Sequence, residues 1–140
     1  MNYESQINLL TALLAASPES SELRWERATT FERWGNALLK RDAVEAALEK
    51  YRACVEEKAE VLANERNESA ENAERRIWLA KNYLGIATLE RLRGRDGKAR
   101  DCCEAAIRTL EEGSDAAPSN EKDEILQEAR SILSALDEKR

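Results

Sequence analysis

The sequence predicts an all-α fold of about six antiparallel helices arranged as repeated helical hairpins, with the last helix as a C-terminal cap. Three observations predict it. Ala, Leu, Glu, Arg and Lys dominate, while aromatic residues make up 5% and there are two Pro and five Gly, a helix-forming rather than strand-forming composition. Apolar residues recur at helical rather than strand spacing in six segments. One pattern is also written twice, about 50 residues apart. Its first copy is Phe31-x2-Trp34-Gly35-x2-Leu38, then Ala47-x3-Tyr51-x2-Cys54. Its second is Leu84-Gly85-x2-Thr88, then Ala99-x3-Cys103-x2-Ala106.

The first helix, about 3–16, carries Tyr3, Ile7, Leu10 and Leu13/Leu14 and stops at Ser17-Pro18, because proline disfavours helix in the residue before it. Ser20 or Ser21 is placed to cap a second helix, about 22–40, with a stripe of Leu23, Ala28, Phe31, Trp34 and Leu38. Asp42 is expected to cap the third. That helix has the clearest periodicity, Val44, Ala47/Leu48, Tyr51, Cys54/Val55 and Val61/Leu62, and ends softly near 64–67. A fourth, about 70–93, buries Ile77, Ala80, Leu84, Ala87 and Leu92 and ends at the turn Gly94 to Gly97. A fifth, about 97–112, buries Ala99, Cys103, Ala106, Ile107 and Leu110. After a loop from Gly113 to Asn120, a sixth, about 120–138, buries Ile125/Leu126, Ala129, Ile132/Leu133 and Leu136 beneath a charged outer face. Domain organisation follows: one domain, with 1–20 as a half-repeat or N-terminal helix, 22–66 and 70–113 as repeats, and 120–138 as the capping helix.

Composition also excludes. A net charge of -6 argues against nucleic acid or an acidic membrane as the main ligand, since both reward a basic face. No apolar run is long enough to span a bilayer, and the Met-Asn-Tyr-Glu-Ser start lacks the pattern of a signal peptide. The expected location is the cytoplasm. Three Cys, two of them adjacent, are a poor disulfide framework and fit a reducing compartment, so the Asn67-Glu68-Ser69 sequon reads as coincidence.

Enzymatic chemistry has little to stand on. The chain has no His, the commonest general base and metal ligand, and it lacks a phosphate-binding loop, a dinucleotide fingerprint and a nucleophile elbow. No catalytic residue, metal site or cofactor is expected. Cys103 reads as a small buried residue with Cys102 on its flank, and Cys54 does not complete a zinc site. Trp25 and Trp78 lie off the main stripes, whereas Trp34 is expected in the core. Gly35 and Gly85 read as close-approach positions, because Gly inside a helix costs about 0.5–1 kcal/mol against Ala and two such residues imply a packing need. The basic tip Arg91, Arg93, Arg95, Lys98 and Arg100 reads as solubilising charge or a contact for an acidic partner.

The order and spacing of these residues resemble the tetratricopeptide repeat (TPR) family, whose pattern runs W-x2-L-G-x2-Y, then A-x3-F, then a small residue. The resemblance covers about 14–112. The first copy keeps the family spacing from Gly35 through Ala47 to Tyr51; the second keeps Leu84-Gly85 but has Lys81 and Thr88 in place of aromatics and two extra residues before Ala99. Leu14-Ala-Ala-Ser-Pro-Glu-Ser is similar to the inter-repeat loop of long-repeat bacterial members. The resemblance implies a right-handed solenoid whose A helices line a concave groove. The groove positions it implies are Thr29, Glu32, Asn36 and Leu39 or Lys40 in the first repeat and Leu79, Asn82, Ile86 and Leu89 in the second. Members that clamp a C-terminal carboxylate carry Lys at the place of Glu32, so that role is not expected even though Asn36 matches.

The functional expectation is a non-enzymatic adaptor or scaffold that binds a peptide or helix of a protein partner in this groove. Alternatives are a secretion-type chaperone for an apolar client, a regulatory repeat domain of a larger bacterial signalling enzyme, and self-association through the terminal helices. A groove covered by the sixth helix is the competing reading of its apolar half.

Overall fold

The computed structural model describes residues 2–65, 69–113 and 120–138. Regular structure among them is entirely α-helical: α1 (Tyr3–Ala16), α2 (Ser21–Lys40), α3 (Val44–Ala63), α4 (Ala70–Leu92), α5 (Asp96–Glu111) and α6 (Asn120–Asp137). These bounds follow the expected ones closely. Most of the loop expected at 113–120, the sequon asparagine and much of the soft end near 64–67 lie outside the described residues. The chain divides into two compact units, residues 1–64 with α1 to α3 and residues 65–140 with α4 to α6.

In the first unit, the starts of α1 and α2 are fixed by short polar side chains. Asn2 Oδ1 accepts the Ser5 N–H at 2.8 Å, and Ser20 Oγ accepts the Leu23 N–H at 3.2 Å. The turn from α2 to α3 corrects an expectation. Asp42 does not cap α3; it adopts φ 61°, the left-handed conformation that reverses the chain just past a helix end. Its N–H donates to the Leu39 carbonyl and that of Ala43 to the Leu38 carbonyl, both at 3.0 Å, which satisfies two of the terminal carbonyls of α2. Ala43 stands at the cap of α3 with no side-chain bond. A three-residue reversal needs a positive φ more than it needs a cap, and Asp tolerates that region better than most residues.

The α2–α3 hairpin packs through fully buried Ala28, Ala47, Leu48 and Cys54, with α1 against α2. Trp34 is half-buried rather than a core residue. Its ring stacks between Tyr3 of α1 and Phe31, at 6.5 Å between centroids in each case, and Lys50 Nζ lies 4.0 Å from the ring centroid.

In the second unit, Ser69 Oγ accepts the Asn72 N–H at 3.1 Å to start α4. The core joins Ala80, Leu84 and Ala87 of α4 to Ala99, Cys103, Ala106 and Leu110 of α5, and Ile125, Ala129 and Leu136 of α6 complete it. The turn into α5 repeats the geometry of the first hairpin. Gly94 has φ 76°, its N–H donates to the Arg91 carbonyl at 3.0 Å, and the Arg95 N–H donates to the Glu90 carbonyl at 2.8 Å.

The two turns set the true register of the repeat. Asp42 and Gly94, the helix starts Val44 and Asp96, and the buried pair Ala47 and Ala99 each stand 52 residues apart, with no insertion. Carried back into α2 and α4, this spacing pairs Ala28 with Ala80, both fully buried, and Gly35 with Ala87 rather than with Gly85. The exposure of the two glycines agrees. A Cβ on Gly35 would lie 2.7 Å from Tyr51 Cε1, whereas a Cβ on Gly85 would meet nothing within 4 Å. Gly35 is therefore a close-approach position and Gly85 is not, which corrects the equivalence read from the Leu-Gly dipeptide. The same register explains Leu92, expected in the core but 79% exposed, because it occupies the place of exposed Lys40.

The glycines should respond to substitution with opposite signs. Gly85→Ala is expected to stabilise the chain by about 0.5–1 kcal/mol, since it removes a flexible residue from an open helix face. Gly35→Ala should destabilise by about 1–2 kcal/mol through collision with the Tyr51 ring. Urea denaturation followed by circular dichroism checks both, and equal effects would overturn the register.

Candidate functional site

Glu32 and Asn36, the polar residues expected to line a groove in the first unit, are engaged by α3. Glu32 Oε1 accepts a hydrogen bond from Lys58 Nζ at 3.0 Å, and the Lys58 side chain is only 2% exposed. That ammonium also lies 4.9 Å from the Trp25 ring centroid. A buried charge this close to an aromatic face and a carboxylate is compensated on both sides. Asn36 Oδ1 accepts from the Tyr51 hydroxyl at 2.6 Å, holding the ring that covers Gly35. Burial, and then the nearby Glu32 charge, raise the Tyr51 pKa above its ordinary value. Lys40 is exposed at the end of α2.

A second ion pair ties the same unit together. Arg27 Nη2 meets Glu57 Oε1 at 2.6 Å and its Nε donates to Glu57 Oε2 at 2.9 Å, a forked contact, while Nη1 donates to Thr11 Oγ1 of α1 at 3.2 Å. The Arg27 pKa is raised chiefly by the hydrogen bonding to Glu57, with burial opposing.

The structure places the expected residues of the second repeat differently. Leu79 and Ile86 are buried, and Asn82 and Leu89 are half-buried. The 52-residue register assigns the places of Glu32 and Asn36 to Leu84 and Thr88 instead. Those two line a cleft of about 410 Å³ between α4 and α6, together with Lys81, Gly85, Glu121, Glu124, Ile125 and Glu128. Leu84 and Ile125 are its buried floor. Lys81 closes one part of it with an ion pair to Glu121, and its ammonium lies 4.7 Å from the ring centroid of Trp78, which is exposed as its place off the stripe implies. The sixth helix thus covers α4 along Leu84 rather than along the Leu79 and Ile86 stripe. The sequence carries this signal in two places: the 52-residue repeat of the turns, and the Glu121, Glu124, Ile125 and Glu128 spacing, which sets four residues on one helical face.

Within the basic tip, Arg95 Nε pairs with buried Glu90 at 2.6 Å and Arg100 Nη2 with Asp137 at 2.7 Å. The cysteines behave as packing residues. Cys54 and Cys103 are fully buried and Cys102 is half-buried on the flank. Burial pushes the Cys54 thiol up to about 12, with Lys58 opposing, and the Cys103 thiol up to about 11, with Arg100 and Arg91 opposing. Among the described residues no group of three or more His, Cys, Asp or Glu is placed to hold a metal ion, and no helix is long and apolar enough to cross a membrane. Set against known proteins, the chain matches no family model, no curated protein and no solved structure.

Two consequences are measurable. Glu32→Ala leaves the Lys58 ammonium buried without its carboxylate and should cost about 3 kcal/mol, whereas Lys58→Met removes the buried charge and should cost less. Chemical denaturation of the two variants checks the order. A thiol whose pKa is raised on folding keeps its proton in the native state after the unfolded state has lost it, so the native state binds more protons in that window. Stability should therefore fall as pH rises from about 9, the ordinary thiol value, towards the native values of about 11 and 12. Denaturation midpoints across that range are expected to decline less steeply in Cys54→Ala than in the wild type.

Proposed function

We propose that the chain is a non-enzymatic, cytoplasmic protein-interaction module of TPR type, an adaptor or scaffold that holds a peptide or helix of a protein partner. The observation that carries this reading is the cleft between α4 and α6, an apolar floor of Leu84 and Ile125 with polar rims on two rigid helices. Its α4 wall holds the places that correspond, in the second repeat, to Glu32 and Asn36 of the first. The acidic balance and the absence of His support a protein partner over nucleic acid and binding over catalysis.

One observation favours a chaperone for an apolar client as a second reading. The outer face of α1 exposes Leu9 by 50% and Leu13 by 44%, and residues 5–18 include no charged side chain.

Affinity capture from native lysate separates the two. Wild type is compared with Gly85→Leu, which fills the cleft, and with Leu9→Glu/Leu13→Glu, each checked for its fold by circular dichroism. A partner lost only on filling the cleft supports the adaptor reading; one lost only with the α1 leucines supports the chaperone reading. Identical capture by all three removes both faces as binding sites.

A further inference from the structure

We propose that the α4–α6 cleft receives an arginine or lysine side chain from a basic amphipathic segment of the partner, an inference that rests on the interaction-module reading and names the chemistry of what is bound. The cleft already holds one cation of its own, the Lys81 ammonium paired with Glu121. Beyond Lys81, α4 contributes only Gly85 and Thr88 to the wall, while α6 contributes Glu124 and Glu128. Neither of these carboxylates has an ion-pair partner among the described residues, and they stand four residues apart, where like charges repel on a helix. A cation entering between them meets two acceptors and relieves that repulsion. Thr88 Oγ1 adds a third, since it donates its proton to the Leu84 carbonyl at 3.0 Å and keeps lone pairs for an incoming donor.

Room and floor fit the stem of such a side chain. Gly85 leaves the wall open, with nothing within 4 Å of where a Cβ would stand, and Leu84 with Ile125 offers apolar surface to methylene groups. A neutral segment finds the same floor but no charge to answer the two carboxylates, and an acidic one meets only the Lys81 ammonium already paired with Glu121, so complementarity selects the basic one.

The test uses the full chain and three fluorescein-labelled amphipathic peptides with identical leucine positions and Arg, Gln or Glu at the remaining ones, read by fluorescence anisotropy at low and high salt. Binding of the Arg peptide alone is expected, weakened by salt and reduced by about tenfold or more in Glu124→Gln/Glu128→Gln and again in Gly85→Leu. A control variant, Glu104→Gln/Glu111→Gln on α5, should leave it unchanged. Equal binding of the three peptides overturns the cationic preference and leaves the interaction-module reading standing. Binding of the Arg peptide that is indifferent to the α6 substitutions, or reduced as much by the α5 control, overturns the site. Absence of binding by all three overturns the proposal, while the lysate capture above decides the broader reading separately.

Discussion

Both hairpins depend on one constraint, the close approach of two helical backbones through residues with almost no side chain. Ala28, Ala47, Ala80, Ala87, Ala99 and Ala106 are all fully buried, and Gly35 joins them where even a methyl group would strike Tyr51. Interiors pack at crystal-like density, so such positions fix the interhelical spacing to within a methylene. Larger side chains then take the flanks: the Tyr3, Trp34 and Phe31 stack outside one hairpin, and Leu110, Ile125 and Leu136 around the other. The α6 contact follows from the same geometry, because Ala129 brings that helix onto a surface already made shallow by alanines.

Charge gives the first unit a specificity that alanines cannot. Lys58 and Glu57 are adjacent in sequence, are both largely buried, and reach different partners on α2, Glu32 and Arg27. A slide or rotation of α3 against α2 would separate both pairs at once, at the desolvation cost of several buried charges. Arg27 extends the constraint to α1 through Thr11. The second unit buries the Glu90 carboxylate, held by Arg95 beside the turn that the same two residues close through their backbones.

Much of this was legible in the sequence. Helical periodicity, Ser20, the Gly94 turn and Ser17-Pro18 marked the elements, because each acts through neighbours a few residues away. The second repeat misled where one shared glycine stood for a packing position: Leu84-Gly85 lines up with Trp34-Gly35 on that glycine alone, and Tyr51 and Cys103 are not alike. With no aromatic at the second position, α4 needs no glycine opposite it, and Ala87 suffices. The equivalence that survives is carried by turn geometry, and Asp42 concealed it by doing the work of a glycine. The acidic wall of the α4–α6 cleft was hidden for another reason. Glu124 and Glu128 look like any solvated helix face until α4 is known to lie beside them.

The paired turns also bear on how the chain acquires its structure. Each hairpin closes over a reversal of three residues, Arg41 to Ala43 and Arg93 to Arg95, so its first interhelical contacts form between segments close in sequence. Such contacts carry little loop-closure entropy, and helical folds dominated by them assemble in roughly microseconds to milliseconds. Two nuclei of this kind can start independently, one on either side of Asn64. An amide-exchange pulse early in refolding would then protect residues near both reversals at similar times, with α1 and α6 gaining protection afterwards as they dock onto hairpins already formed.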